Sequence, residues 1–135
     1  MSSGIYNRLK YNLMTKTIDL VNDTIKIALM NNSHTFTATH NTWSQVSANE
    51  TSGTGYTTGG VTLANKSVTQ GSTTKFDADD PSWSGASFTA YHAVIHDTTI
   101  GSDDLLCSLD FGGALTITSG TLTLTFDSAG IITLS

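Results

Sequence analysis

The sequence predicts an all-β protein, an antiparallel β-sandwich or jelly roll preceded by a short N-terminal helix. Three observations lead there. The apolar residues change from a spacing of four to a spacing of two near Thr17. Turn-forming clusters of Gly, Asn, Asp and Ser recur about every 8–12 residues. Strand-like runs do not alternate with helical ones, which argues against a doubly wound α/β sheet. The expected organisation is an N-terminal helical arm over residues 1–16 and a β-domain over residues 17–135.

The helix is expected from Gly4 to about Lys16. Ile5, Leu9 and Leu13 fall on one face, and Ser2 or Ser3 is placed to cap its start. Arg8, Lys10 and Lys16 supply half of the six basic residues in an acidic chain. They form either a solvated face or a docking element for an acidic partner.

Ile18 and Leu20, then Ile25, Ile27 and Leu29, predict two strands joined at Asn22-Asp23. Residues 31–40 are polar and turn-rich. Residues 42–46 fit one helical turn or an extended piece, with Trp43 as a lid on the core or a ligand platform. Residues 49–61 are rich in glycine, serine and threonine and read as an irregular loop. A strand is expected from Val61 to about Val68, and a shorter one over residues 75–78. Asp79-Asp80-Pro81-Ser82 interrupts, because proline cannot donate to a ladder. Residues 87–97 are apolar on both faces, the mark of a central strand buried on two sides. Further strands are expected over residues 105–111, around Leu115 and Ile117, and over residues 121–126. The turn at residues 127–130 leads residues 131–134 into a hairpin with the strand before it.

Composition narrows the function. A chain of 135 residues makes one domain able to bury a core. Its single cysteine, Cys107, lies in an apolar run and reads as a buried hydrophobe. A net charge of −5 disfavours nucleic acid as a partner. Only 13% of residues are charged, against about 25% in an average domain, so copies of the chain repel one another weakly. No segment has the length and hydropathy to span a membrane, and the N-terminus lacks the pattern of a signal peptide, so folding in a cytoplasm is expected.

The reactive residue types form no recognisable motif. His92 and His96 share a strand face but stand about 13 Å apart, too far to hold one metal ion. His34 and His40 lie in a turn-rich stretch. Asp77, Asp79 and Asp80 lack the glycine-centred pattern of a calcium loop, and Asp97, Asp103 and Asp104 add carboxylates without one. There is no Gly-x-Ser-x-Gly elbow and no lysine at phosphate-loop spacing after the glycines. The expectation is a protein that is not an enzyme and uses no cofactor or metal.

Several strings carry a family resemblance. They are Gly4-Ile5-Tyr6-Asn7-x-x-Lys10, Ile18-Asp19-Leu20-x-x-Asp23-Thr24-Ile25-Lys26-x-Ala28-Leu29 and Ser33-His34-Thr35-Phe36. Further ones are Ala48-Asn49-Glu50-x-Ser52-Gly53-Thr54-Gly55-Tyr56-Thr57-x-Gly59-Gly60, Phe76-Asp77-Ala78-Asp79-Asp80-x-x-Trp83, Ala93-Val94-Ile95, Asp110-Phe111-Gly112 and Gly130-Ile131-x-x-Leu134-Ser135. With these strings the chain resembles small structural proteins of tailed bacteriophages, in particular capsid decoration or cement proteins. The resemblance implies a virion protein on the capsid exterior, made in the host cytoplasm. It would bridge major capsid proteins as a dimer or trimer, with neither nucleic acid nor membrane as partner. Ile5, Tyr6, Arg8, Lys10 and Tyr56 are the expected contacts to capsid or a sister subunit. The competing expectations are a tail, baseplate or fibre component, and a carbohydrate-binding module with Trp43, Trp83 or Tyr56 as its platform.

Overall fold

The computed structural model describes residues 3–135. The described chain runs through β1 (Gly4–Ile5), α1 (Asn7–Met14), β2 (Ile25–Met30) and two single-turn 3-10 helices (Trp43–Gln45 and Ser47–Asn49). It continues through β3 (Val61–Thr62), β4 (Ser67–Thr69), β5 (Thr74–Asp77), β6 (Ser82–Asp97), β7 (Asp104–Thr123) and β8 (Ile132–Leu134). The protein is mostly β, with antiparallel sheets and one short α-helix. One sheet has five strands in the order β1-β7-β6-β2-β3, and the other has three in the order β4-β5-β8.

The two-sided run at residues 87–97 becomes the centre of the larger sheet. β6 pairs with β2 from Ile25↔Asp97 to Met30↔His92, and with β7 along its whole length. Ala93 and Ile95 pack with Ile27, Leu29, Phe76 and Ile132 on one face. Val94 packs with Tyr6, Ala28, Met30 and Leu105 on the other. Phe76 and Ile132 belong to the smaller sheet, so side chains from both sheets share one core. Burying such side chains is the main source of stability, at about 1.5–3 kcal/mol for each large one.

Several expectations need correction. The helix is shorter than its periodicity implied and starts at Asn7, with Tyr6 at its N-cap and no side chain capping it. Ser2 lies outside the described residues, and the Ser3 Oγ accepts the Asp110 N–H at 2.8 Å instead of capping. Gly4 and Ile5 add a strand to β7, paired with Ser108 and Cys107. Edge pairing satisfies backbone groups that the first turn of a helix leaves without partners.

Ile18 and Leu20 are not in a strand. Asp19 Oδ1 accepts the N–H groups of Val21 and Asn22, and Asp23 Oδ2 accepts the N–H of Asp19. Short acidic side chains here capture backbone donors that a ladder would need. The run from Val61 splits at Asn65, whose φ of 52° suits a turn. β3 then pairs with β2, and β4 with β5.

At the C-terminal end, the separate strands expected at residues 105–111, 115–117 and 121–126 are largely one. β7 is continuous to Thr123, bending where Gly112 and Ser119 take φ of 78° and 49°. The turn at residues 127–130 forms, but β8 pairs with β5 and not with the strand before it. Leu122 is already paired with Trp83 of β6.

Candidate functional site

The residues expected to make contacts fall in different environments. Tyr6 is completely buried, with its ring 5.0 Å from that of Phe36, and burial pushes its hydroxyl up to about 12. Ile5 is half-buried in β1. The Arg8 Nε donates to Asp104 Oδ2 at 2.9 Å, and its guanidinium lies over the Tyr11 ring. Burial alone would raise the Asp104 carboxyl, but hydrogen bonds from Ser102, Arg8 and Asn12 outweigh it and hold the group below the usual carboxylate range. Lys10 is exposed. These residues therefore do not converge on one surface: Tyr6 is committed to the interior and Arg8 to an internal ion pair.

Tyr56 is also committed internally. Its hydroxyl donates to Glu50 Oε2 at 2.6 Å and accepts the Leu29 N–H at 3.0 Å. The Gly59 N–H donates to the same Glu50 oxygen at 2.7 Å. Burial, then the Glu50 contact, raises the Tyr56 phenol well above its ordinary value. The glycine loop is thus bound down onto the sheet. At Gly60, with φ of +89°, a Cβ would lie 2.0 Å from the Ile27 carbonyl oxygen, so only glycine lets the loop come this close.

The second face of the large sheet holds a polar cluster that spacing alone did not reveal. His34 Nε2 and Ser108 Oγ are 2.9 Å apart, with 74 positions between them in the chain. His92 lies against His34, and its Nδ1 is 3.7 Å from Asp110 Oδ1. These are the residue types of a hydrolytic site, but Ser108 has no exposed surface and the two histidines are 1% exposed, so a substrate carbonyl has no route to the hydroxyl. His96 has separate partners: Asp103 at 2.5 Å, the Gly59 carbonyl at 3.1 Å, and the Trp43 ring stacked at 4.3 Å. Among the described residues no three or more His, Cys, Asp or Glu side chains are arranged to hold a metal ion.

The best-formed surface feature is an apolar groove between α1, the turn at residues 17–23 and the smaller sheet. Two adjoining cavities, of about 430 and about 110 Å³, share Leu13, Leu20 and Val68 in their walls. The register explains the apolar floor. Val68 stands opposite Phe76, Phe76 opposite Ile132, and Thr74 opposite Leu134, so β4, β5 and β8 turn one face toward the groove. Val21, Val68 and Leu134 remain 43, 45 and 57% exposed, and Met14 beside Leu13 is 91% exposed. Lys16, Asp19 and Asp23 line the larger cavity with charge of both signs. Of the groove's walls, sequence reasoning named only Lys16 for docking; the apolar walls come from separate stretches, and scattered apolar residues give no local signal of a shared surface.

No protein-family model, curated protein or solved structure matches this chain.

Proposed function

We propose that this chain is a non-enzymatic structural protein of a tailed-phage virion that binds the outside of the head shell and bridges major capsid proteins. The observation that carries the reading is the apolar groove of Leu13, Leu20, Val68 and Leu134 with its mixed-charge rim. Contiguous exposed apolar patches rimmed by polar groups are a common mark of interaction sites. The family resemblance supplies the partner, the major capsid protein. We also read the two sheets as layers of a β-sandwich, supported by the core that Phe76 and Ile132 share with Ile27 and Leu29. Self-association into a dimer or trimer belongs to the same reading.

A cement protein stabilises only the state it binds, by mass action, and engaging several subunits at once strengthens the effect. Co-sedimentation with undecorated heads, followed by heat challenge of the particles, tests the reading. Saturable binding with raised particle stability is expected. Binding to isolated tails but not to heads would replace it with a tail-component role.

The carbohydrate-module alternative loses ground from the aromatic positions. Trp83 is 3% exposed, Trp43 has one face covered by His96, and the half-buried Tyr56 packs edge-on to Phe88.

A further inference from the structure

At the end of β6, Asp97 is completely buried. Its Oδ1 accepts the Thr99 N–H at 2.9 Å and the Ile100 N–H also reaches the carboxyl, while among the described residues no N–H or O–H group donates to its buried Oδ2. The group that meets this carboxyl is another carboxyl, that of Asp23. Two carboxylates in contact repel one another, and a buried carboxylate oxygen without a donor is costly. A proton on Asp97 resolves both problems, because a protonated carboxyl becomes a donor that its neighbour can accept.

Among the described residues no cation is paired with Asp97, although Lys16 and Asp19 line the same cavity as Asp23. Across the ladder Asp97 stands opposite Asp104, whose charge is answered by Arg8. From β2 its registered neighbour is the apolar Ile25. From the turn at residues 17–24 the contact is Asp23 itself. That turn also supplies groove walls: Ile18, Leu20 and Val21 belong to it. Its remaining ties to this end of the sheet include the Thr98 N–H donating to the Thr24 carbonyl at 2.9 Å and the Thr24 N–H donating to Thr99 Oγ1 at 2.7 Å.

We propose that a proton on the buried Asp97 carboxyl, donated toward Asp23, latches the turn at residues 17–24 onto the sheet, and that its loss releases the turn and dismantles one wall of the groove. The inference concerns regulation of the groove and rests on reading the groove as the docking surface. Burial, then Asp23, raises the Asp97 carboxyl to about 7. In the released state the carboxyl is solvated and titrates near ~3.9. The latch is therefore at full strength below that value, weakens as pH rises, and stays at its weakest above about 7.

Amide hydrogen exchange of the full chain, corrected for the intrinsic pH dependence of exchange, tests the latch without any head particle. A failed docking experiment would thus leave this result untouched. Protection of the Thr98 amide is expected to fall by up to about tenfold per pH unit between about pH 4 and pH 7 and then level off. Asp97→Asn, and separately Asp23→Asn, should flatten the dependence. A flat wild-type profile would overturn the proposal. So would an equal slope at the Val94 amide in the middle of β6, which would mean global opening, or recovery of protection at about pH 8 on adding calcium or magnesium chloride, which would mean that a cation bridges the pair.

Discussion

The imidazoles of His34 and His92 meet edge to face with ring centroids 5.1 Å apart, inside a face of the sheet that excludes water from both. Among the described residues, only His34 Nε2 of their four nitrogens has a hydrogen-bond partner. Burial, then repulsion from His92 and His40, pushes His34 down to about 4. Burial also lowers His92, against a pull from Asp110 in the other direction.

Acid should therefore weaken the fold through this pair. The unfolded chain takes up the His34 proton near ~6.5, whereas the folded chain resists until about pH 4. The His34 contribution is intact above the first value and is lost as pH falls toward the second, a change on the order of 3 kcal/mol. Asp97 has the opposite slope over part of this range, so the useful comparison is between variants. Urea unfolding of His34→Gln should show a clearly smaller loss from about pH 7 to pH 4.5. Parallel profiles for the two proteins would contradict the assignment.

Gly60 and Gly59 make a controlled pair. Both have positive φ, +89° and +92°, but a Cβ at Gly60 would strike the Ile27 carbonyl while one at Gly59 meets nothing within 4 Å. Gly59→Ala should cost about 1–2 kcal/mol, the price of the backbone angle alone. Gly60→Ala should cost more than that, at least about 2 kcal/mol, because the loop must lift from β2. Equal losses in thermal or denaturant unfolding would show that the close approach contributes nothing.

Arg8→Ala should destabilise by about 1–2 kcal/mol. It leaves Asp104 buried with donors only from Asn12 and Ser102. The loss should shrink at low pH, once the folded chain also protonates Asp104, because only the folded state's Asp104 faces Arg8. A chemical-denaturation series across pH reads this directly, and an unchanged midpoint would place Arg8 outside the stability of the fold.

Leu134→Glu and Val68→Glu separate docking from folding. Both side chains are largely exposed, so each change should alter stability by no more than about 0.5 kcal/mol. Binding to heads should nevertheless weaken at least tenfold, because a charge entering an apolar interface costs at least about 1.4 kcal/mol. Wild-type binding by both variants would remove the groove from the docking surface.

What could be read from residues alone follows from the range of the forces involved. The double-sided apolar run of β6 and the proline before it are local patterns; the run appears where expected, but β6 begins at Ser82, inside the expected break and five residues earlier than the run. Alternation also marked β2 and β5. Pairing choice was hidden, since nothing near Ile132 says that its partner is Phe76 and not a nearer strand. Ile18 and Leu20 alternate like a strand, yet the Asp19 carboxylate had already taken the backbone donors. Tyr6 and Tyr56 are expected as contact residues because they lie in the N-terminal arm and the glycine-rich loop. One is buried beside Phe36, and the other spends its hydroxyl on Glu50 and Leu29. The histidine cluster joins residues from three separate stretches, and no spacing rule reports such a meeting.

The pairing of β5 with β8 bears on how the chain reaches this state. Phe76 and Ile132 are more than fifty positions apart, and β6 with β7, themselves one long hairpin, lie between them. Loop-closure entropy must be spent before such a distant contact returns anything, so folding is expected in the millisecond-to-second range typical of non-local β topologies. Until β8 arrives, β5 has one unpaired edge and the groove lacks the wall that carries Leu134. On this topology the groove is completed late in folding, and a partner that docked there, as proposed, would accept only molecules that have finished.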